Sequence, residues 1–381
     1  MFALIRSLSC GLILLLANMV TAPLAAQQLR EITQDYPGIR VEQLLTGLGI
    51  PWGMTFISPH QLLITERAGS VRLLDIRDRS SVSLGGAAEV VAEGQGGLLD
   101  VAIGPNYSSE GWIYFTYTRR VDSEAATTLA RARLDQERLV DWQDLLITDT
   151  ATDARRHFGS RIAFDDKGHV FFGVGDRGER DMAQDLSNHI GTIMRLNLDG
   201  SVPVDNPFVG TANARDEIWS YGHRNPQGAA IRPGSDDLWV TEHGPQGGDE
   251  INKIVAGGNF GWPVVSYGCN YGDPVSDACR IGGGVHAPNH IEPVSYWVPV
   301  SIAPSGMIFY TGTGFPQWQG NLFVGALVGT ALWRVELNKD QEVLRERLFF
   351  EPNERIRDVE QGPDGWIYLL TDSGKLVQIR D

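Results

Sequence analysis

Six stretches of the chain share one rhythm: an apolar run, a turn rich in Gly, Pro or Asp, then a second apolar or aromatic run. They read MTFISPHQLLITE from Met54, LLDVAIGPNYSSEGWIYFTY from Leu98, SRIAFDDKGHVFFGVGD from Ser160, GAAIRPGSDDLWVTEHG from Gly228, SGMIFYTGTGFPQWQGNLFVGAL from Ser305 and RDVEQGPDGWIYLLTD from Arg357. The runs are short and rich in Val, Ile, Phe, Tyr and Trp, with no helical period sustained beyond the N-terminus, which is the signature of strands. A repeat of roughly 45–75 residues built from short strands predicts an all-β, six-bladed β-propeller with one copy per blade. Such a ring gathers the loops of every blade at one end of a central channel. Residues far apart in sequence then share one site.

Residues 27–50 read as a lead-in that helps to close the ring. Charges alternating with apolar positions over 119–150 predict outer strands on a solvated blade edge. The longest stretch outside the repeat runs from about Ile251 to Pro304, and an ordered loop of that size is usually functional. No linker or low-complexity tail separates these parts, so residues 27–381 are read as one domain. Composition agrees: 44 Gly and 19 Pro supply the turns, and a hydrophobic share of 42% supplies a sizeable core.

The first 26 residues differ. Arg6 is their only charge, Leu8 to Val20 is almost wholly apolar, and Ala22, Ala25 and Ala26 follow. This reads as a secretory signal cleaved after Ala26 or after Ala22, and its apolar core is too short for a comfortable membrane span. The protein is therefore expected in the periplasm or secreted. Two cysteines remain beyond it, Cys269 and Cys279. They form a disulfide in an oxidising compartment or stay as two free buried thiols. Net charge is −15, which argues against nucleic-acid binding.

Polar clusters sit just outside the expected strands. Gly94-Gln95-Gly96-Gly97 precedes the second blade, Arg156 to Arg161 the third, and Gly222-His223-Arg224-Asn225-Pro226-Gln227-Gly228 the fourth. Glu242 to Glu250 follows the fourth blade's second strand, and Arg355-Ile356-Arg357-Asp358 enters the last blade. Any one of these is as readily a turn or a solvated edge. Together, several cations at one mouth point to an anionic ligand. A carbonyl-rich Gly-Pro turn beside Asp249 and Glu250 points to calcium. A nearby histidine offers a general base. His223 and His243 lack zinc-site spacing, and no phosphate loop or nucleophile elbow is present. Gly173 to Gly178 matches a Gly-rich loop only superficially, since no helix follows it.

These same clusters resemble the soluble quinoprotein sugar dehydrogenases, especially the aldose sugar dehydrogenase branch. The strings at 94–100, 157–161, 222–228, 242–250, 301–306 and 355–358 carry the match across nearly the whole chain after the leader. The resemblance implies a six-bladed propeller that uses pyrroloquinoline quinone (PQQ) and calcium to oxidise sugars to lactones. It implies that His157 is the general base at the anomeric hydroxyl, that hydride passes to the quinone, and that Arg224 stabilises the developing oxyanion. Gln95, Asn225, Arg355 and Arg357 would hold PQQ, with Tyr271 and Ser301 as weaker contacts. Gly244 and Pro245 would offer carbonyls to the catalytic calcium. Glu250 and the Phe260 carbonyl resemble a second, structural calcium site.

Two departures stand out. Val328 takes the place of a lysine common in the family, which removes a cation near the quinone. Arg156 stands where the glucose-oxidising branch has an acidic, sugar-contacting residue, so glucose specificity does not transfer. The alternatives are a calcium-dependent lactonase or a non-catalytic propeller that binds PQQ or carbohydrate. No haem-attachment motif is present, so an oxidase of this kind passes its electrons to a separate acceptor. A monomer and a homodimer are both compatible with the sequence.

Overall fold

The computed structural model describes residues 28–31, 36, 38–348 and 354–381; the leader assigned to residues 1–26 lies outside them. Six antiparallel sheets carry the fold. Blade 1 comprises Pro51–Phe56, Gln61–Glu66, Ser70–Asp75 and Ser81–Leu84. Blade 2 comprises Leu98–Ile103, Trp112–Val121, Glu124–Asp135 and Arg138–Ile147. Blade 3 comprises Ile162–Phe164, His169–Val174, Thr192–Asn197 and Ile218–Tyr221. Blade 4 comprises Pro226–Ile231, Leu238–Glu242, Asp249–Lys253 and Ser295–Trp297. Blade 5 comprises Pro304–Phe309, Leu322–Ala326, Ala331–Asn338 and Gln341–Leu348. Blade 6 comprises Ile356–Gln361, Ile367–Thr371 and Lys375–Arg380, completed by Arg40–Leu45 and Gln28–Glu31 from the start of the chain. The six-bladed propeller is thus realised, and the lead-in closes it: Val41 pairs with Ile379 and Gln43 with Val377.

Turn chemistry explains why the hairpins form. In blade 3, Asp165 Oδ1 accepts from the backbone N–H of Lys167 (3.0 Å) and of His169 (2.8 Å), folding the chain back on itself. Gly168 then takes φ +88°, a conformation that costs a residue with a Cβ. The strands that follow pair Ile162 with Phe172 and Phe164 with Val170.

The hydrophobic core is distributed. Six clusters lie between successive blades, such as Tyr310, Trp318, Phe323, Ile356 and Leu369 between blades 5 and 6, and Trp239, Ile251, Met307 and Val324 between blades 4 and 5. Each blade is therefore buried on both faces by its neighbours, which is why its strands read as nearly continuous apolar runs rather than strict alternation. A seventh cluster, Trp52, Val91, Leu99, Ala125 and Phe158, supports the loop end of the ring.

The first strands of successive blades touch in a closed circle around the channel. Arg161 plugs it, with Nη1 at 2.7 Å from Asp100 Oδ1 and 2.9 Å from Asp358 Oδ1. Asp358 also accepts from the Met54 N–H at 2.9 Å, and Asp100 from the Ile162 N–H at 2.7 Å. These bonds stitch blades 6, 1, 2 and 3 together directly beneath the loops. The Ile251–Pro304 stretch, read as lying outside the repeat, instead contains blade 4's last strand. The segment between Lys253 and Ser295 is an insertion inside that blade. A disulfide joins Cys269 to Cys279 within it. Among the described residues, no helix is long and apolar enough to cross a membrane.

Candidate active site

Two cavities open among the loops and meet at Gln95, which lines both. The first, about 580 Å³, is lined by Arg156, His157, Asp176, Arg180, Arg224, Pro245, Trp262, Asn270 and Tyr271 among others. The second, about 380 Å³, includes Trp52, Arg67, Phe158, His243, Arg355, Arg357 and Asp372. Both fall in the size range of small-molecule sites. Together they present six arginines and two aspartates on a protein whose net charge is −15.

His157 is held from three directions. Its backbone lies in the left-handed region, φ 56°, followed by Gly159 at 64° and Ser160 at 107°. A histidine there costs on the order of 1–3 kcal/mol and persists only where surrounding contacts impose it. Its N–H donates to Gln95 Oε1 at 2.8 Å, and its Nδ1 lies 2.6 Å from Asp176 Oδ1. With Asp176 ionised, Nδ1 carries the proton and Nε2 is the basic nitrogen. Burial pushes the His157 pKa below its usual value; Asp176 opposes this, and the charges of Arg224 and Arg156 add to it. Burial acts to raise Asp176, but the His157 hydrogen bond and charge outweigh it and hold the carboxyl low. Asp176 Oδ2 accepts from Trp262 Nε1 at 2.8 Å, and Oδ1 also from the Gly178 N–H at 2.8 Å. The pair is a neutral imidazole backed by a carboxylate.

Arg177 fixes the loop from below. Its guanidinium is fully buried, donates to the carbonyls of Arg156 and Ala154, and lies 3.5 Å from the Phe158 ring centroid. Arg224 faces the base across the cavity. Its Nη1 donates to the His243 carbonyl at 3.1 Å and its Nη2 to the Tyr271 hydroxyl at 3.4 Å. Its Nε is buried without a hydrogen-bond partner, an unusual cost for a charged group unless a guest completes it.

In the second cavity Arg355 and Arg357 share one carboxylate. Arg355 Nε is 2.7 Å from Asp372 Oδ2, and Arg357 Nε is 2.9 Å from Asp372 Oδ1. Arg67, which sequence reading passed over, adds a third cation. His243 donates from Nε2 to the Pro304 carbonyl at 2.7 Å. Burial, chiefly, lowers its pKa to about 3, and neighbouring arginines add to the effect. It is a neutral wall.

The calcium-type turn has a divided role. Gly247 and Gly248 bend it at φ 73° and 70°, and a Cβ on Gly244 would lie 2.2–2.3 Å from the Gly247 and Gly248 carbonyl oxygens. The turn therefore gathers backbone oxygens, which are hard donors. Asp249, read with the cation-binding turn, is committed elsewhere. It accepts from the N–H groups of Gly244, Ile302 and Ala303 at 2.7–2.9 Å and from Ser301 Oγ at 2.7 Å. Below it, a space of about 10 Å³ is lined by Glu242, Glu250, Phe260 and His286 among others, room for about one water or ion. Burial first, and the Glu242 carboxylate second, push Glu250 well above the ordinary range. Asn252 Nδ2 bridges the two acids at 3.1 and 3.3 Å while its Oδ1 has no partner. Two buried acids held together by an amide are an oxygen-donor pair suited to a cation. Among the described residues no group of three or more His, Cys, Asp or Glu side chains is clustered for a metal, so backbone oxygens would complete either site.

Of the residues singled out from sequence, Gln95, His157, Arg224, Pro245 and Tyr271 meet in the first cavity and Gln95, Arg355 and Arg357 in the second. Gly244, Glu250 and Phe260 meet in the small third space, with Arg224 at its edge. Asn225 and Ser301 line none of these. Asn225 lies behind the wall, its Nδ2 3.2 Å from His243 Nδ1. Val328 is 59% exposed and its backbone N–H bonds the Ile302 carbonyl.

Sequence reading missed Asp176, Asp372 and Glu242 as partners. A signal was present. In four blades an acid ends the second strand or follows it within two residues: Glu66, Asp176, Glu242 and Asp372, after Ile-Thr, Val-Gly, Val-Thr and Leu-Thr. Each engages a basic group or backbone N–H at the loop end. Glu66 pairs with Arg72 at 2.9 Å, and Glu242 Oε2 lies 3.2 Å from the Arg224 N–H.

Comparisons with known proteins place the fold in a family. Aldose sugar dehydrogenase YliI of Escherichia coli is 40% identical over 348 residues, covering 90% of this chain and 92% of that protein. The apo crystal structure of the soluble aldose sugar dehydrogenase from Escherichia coli superposes with a TM-score of 0.84 at 39% identity, covering 90% of this chain and 99% of that one. The PQQ-bound aldose sugar dehydrogenase of Streptomyces coelicolor superposes with a TM-score of 0.73 at 26% identity, covering 93% and 98%. The model for the family "Glucose / Sorbosone dehydrogenase" matches residues 48–378. The chain belongs to the glucose/sorbosone dehydrogenase family.

Proposed function

We propose that the chain, exported to the periplasm and folded as one domain over residues 27–381, oxidises aldose sugars at the anomeric carbon to lactones with PQQ and calcium. One observation carries this reading. A buried His157–Asp176 pair shares one cavity with Arg224, whose Nε has no partner, and that cavity adjoins a second where two arginines share a single carboxylate.

The residues suit an anionic planar guest: arginines for its carboxylates, Trp52 and Phe158 as apolar walls, and the carbonyl-rich turn at Gly244 and Pro245 for a hard cation. PQQ, when bound, accepts the hydride, and calcium polarises it as a Lewis acid. His157 Nε2 takes the proton of the anomeric hydroxyl as the C–H electron pair leaves, giving the lactone. Asp176 keeps the ring in the reactive tautomer and stabilises the imidazolium that forms. Arg224 places a fixed positive charge where negative charge develops, at no reorganisation cost. Arg355 and Arg357 anchor, and Gln95 ties the base loop to the anchoring side. Glu242, Glu250 and Phe260, which line the small space, would hold the second, structural cation. Electrons leave to an external acceptor.

Reconstituting the purified chain with PQQ and calcium and assaying aldoses with a dye acceptor tests the reading. Cofactor binding with sugar-dependent dye reduction is the expected result. No PQQ-dependent absorbance change, or lactone hydrolysis without PQQ, overturns it.

A further inference from the structure

We propose that the preferred substrate is an aldose bearing an anionic group, a carboxylate or a phosphate, and that Arg156 and Arg180 recognise it. The inference rests on the sugar-oxidising reading above and deepens it. Both arginines line the base's cavity and neither lines the Arg355/Arg357 cavity. They stand on two sides of the catalytic pair. The Arg156 guanidinium lies over Gly178, where an added Cβ would meet its Nη2 at 2.5 Å, and the Gly178 N–H holds Asp176. Arg180 sits 4.7 Å from the centroid of the Trp262 ring, whose Nε1 holds the other oxygen of Asp176. Arg180 Nη1 donates to Asn270 Oδ1 at 3.1 Å.

Neither guanidinium forms an ion pair among the described residues, although acids outnumber bases by 47 to 32 over the chain. The cavity's one carboxylate, Asp176, is already saturated by His157, Gly178 and Trp262. Two guanidinium groups with spare N–H donors, lining one cavity with a general base, suit carboxylate or phosphate oxygens. A neutral hydroxyl would use the donors without offsetting the charge.

The test compares D-galacturonate, D-galactose 6-phosphate and D-galactose with the PQQ- and calcium-loaded protein, together with direct calorimetric binding of each sugar. The wild type is expected to show a kcat/KM at least about tenfold higher for one of the anionic sugars than for galactose, eroded by salt. Arg156→Gln and Arg180→Gln should each lower the anionic-to-neutral ratio about tenfold, with Arg156→Lys restoring part of it. The better of the two anionic sugars identifies the group. A preference for galactose, or a ratio unmoved by both substitutions, overturns the proposal. So does an effect confined to the KM of an anionic dye, which would assign the arginines to the acceptor. If PQQ fails to bind, the parent reading falls, and calorimetry decides the proposal separately: tighter binding of an anionic sugar than of galactose upholds it, and equal or absent binding ends it.

Discussion

The two cavities meet at one glutamine yet are built on opposite plans. At His157 the base itself is locked: Gln95, Asp176, Gly178 and Trp262 fix the imidazole and its carboxylate through bonds of 2.6–2.8 Å. Around Arg357 charge is left over, since two guanidinium groups divide one carboxylate and Arg67 adds another. Proton transfer needs a base with one tautomer and one position, whereas anchoring an anion needs surplus positive charge more than fixed geometry. The comparison separates residues expected to govern rate from residues expected to govern retention.

The sharpest way to break that separation is His157→Ala. Turnover should fall on the order of 10²–10⁴-fold, the usual weight of a general base, while PQQ affinity read by absorbance titration stays within about threefold. An equal loss of both would mean the two regions act as one. The pH profile sharpens the same point. Because burial lowers the His157 pKa, the base is neutral and active above that value. The acidic limb of kcat/KM should therefore have its midpoint below about 6.5, the ordinary histidine value. A midpoint above it would mean that the Asp176 contact, which raises the value, outweighs burial.

Next in size, Arg357→Ala should weaken PQQ binding about 10–100-fold, the cost of a charge-assisted hydrogen bond. Turnover at saturating PQQ should be largely kept. A kcat effect as large as that of His157→Ala would erase the distinction. Smaller again, calcium should raise the melting temperature of the wild type by a few degrees, and Glu250→Gln should abolish most of that rise. A full calcium response in the variant would place the cation elsewhere. Smallest, reducing the Cys269–Cys279 bridge should loosen Asn270 and Tyr271 and weaken PQQ binding only a few-fold, measured by the same titration. No change would show that the insertion holds its shape by packing alone.

The fold was legible because each repeat writes its own strand–turn–strand and each turn carries its own glycine, proline or aspartate. The arginines and the base were legible because they sit in loops with unusual composition. Their acid partners were not. Asp176 lay in a Gly-rich string that looked like a phosphate loop without its helix, and Asp372 closed an ordinary strand. Both act through partners 15 to 19 residues away, a separation that only the sheet geometry brings to contact. Asn225 and Ser301 show the converse. Sequence pattern marked them as cofactor contacts, but neither lines a cavity: Asn225 braces His243 and Ser301 braces Asp249, and pattern cannot distinguish a side chain that lines a wall from one that braces it.

The pairing of Arg40–Leu45 with Lys375–Arg380 sets an order of events. Arg357 belongs to the sheet that this clasp completes and Arg355 immediately precedes it, while His157, Asp176 and Arg224 lie in loops of blades assembled from the middle of the chain. A growing polypeptide can gather its proton-handling half long before its ends join, yet the grip on a charged guest waits for the last strand to find the first. On the proposed function, such a guest would be held only by the finished ring and not by a half-built one.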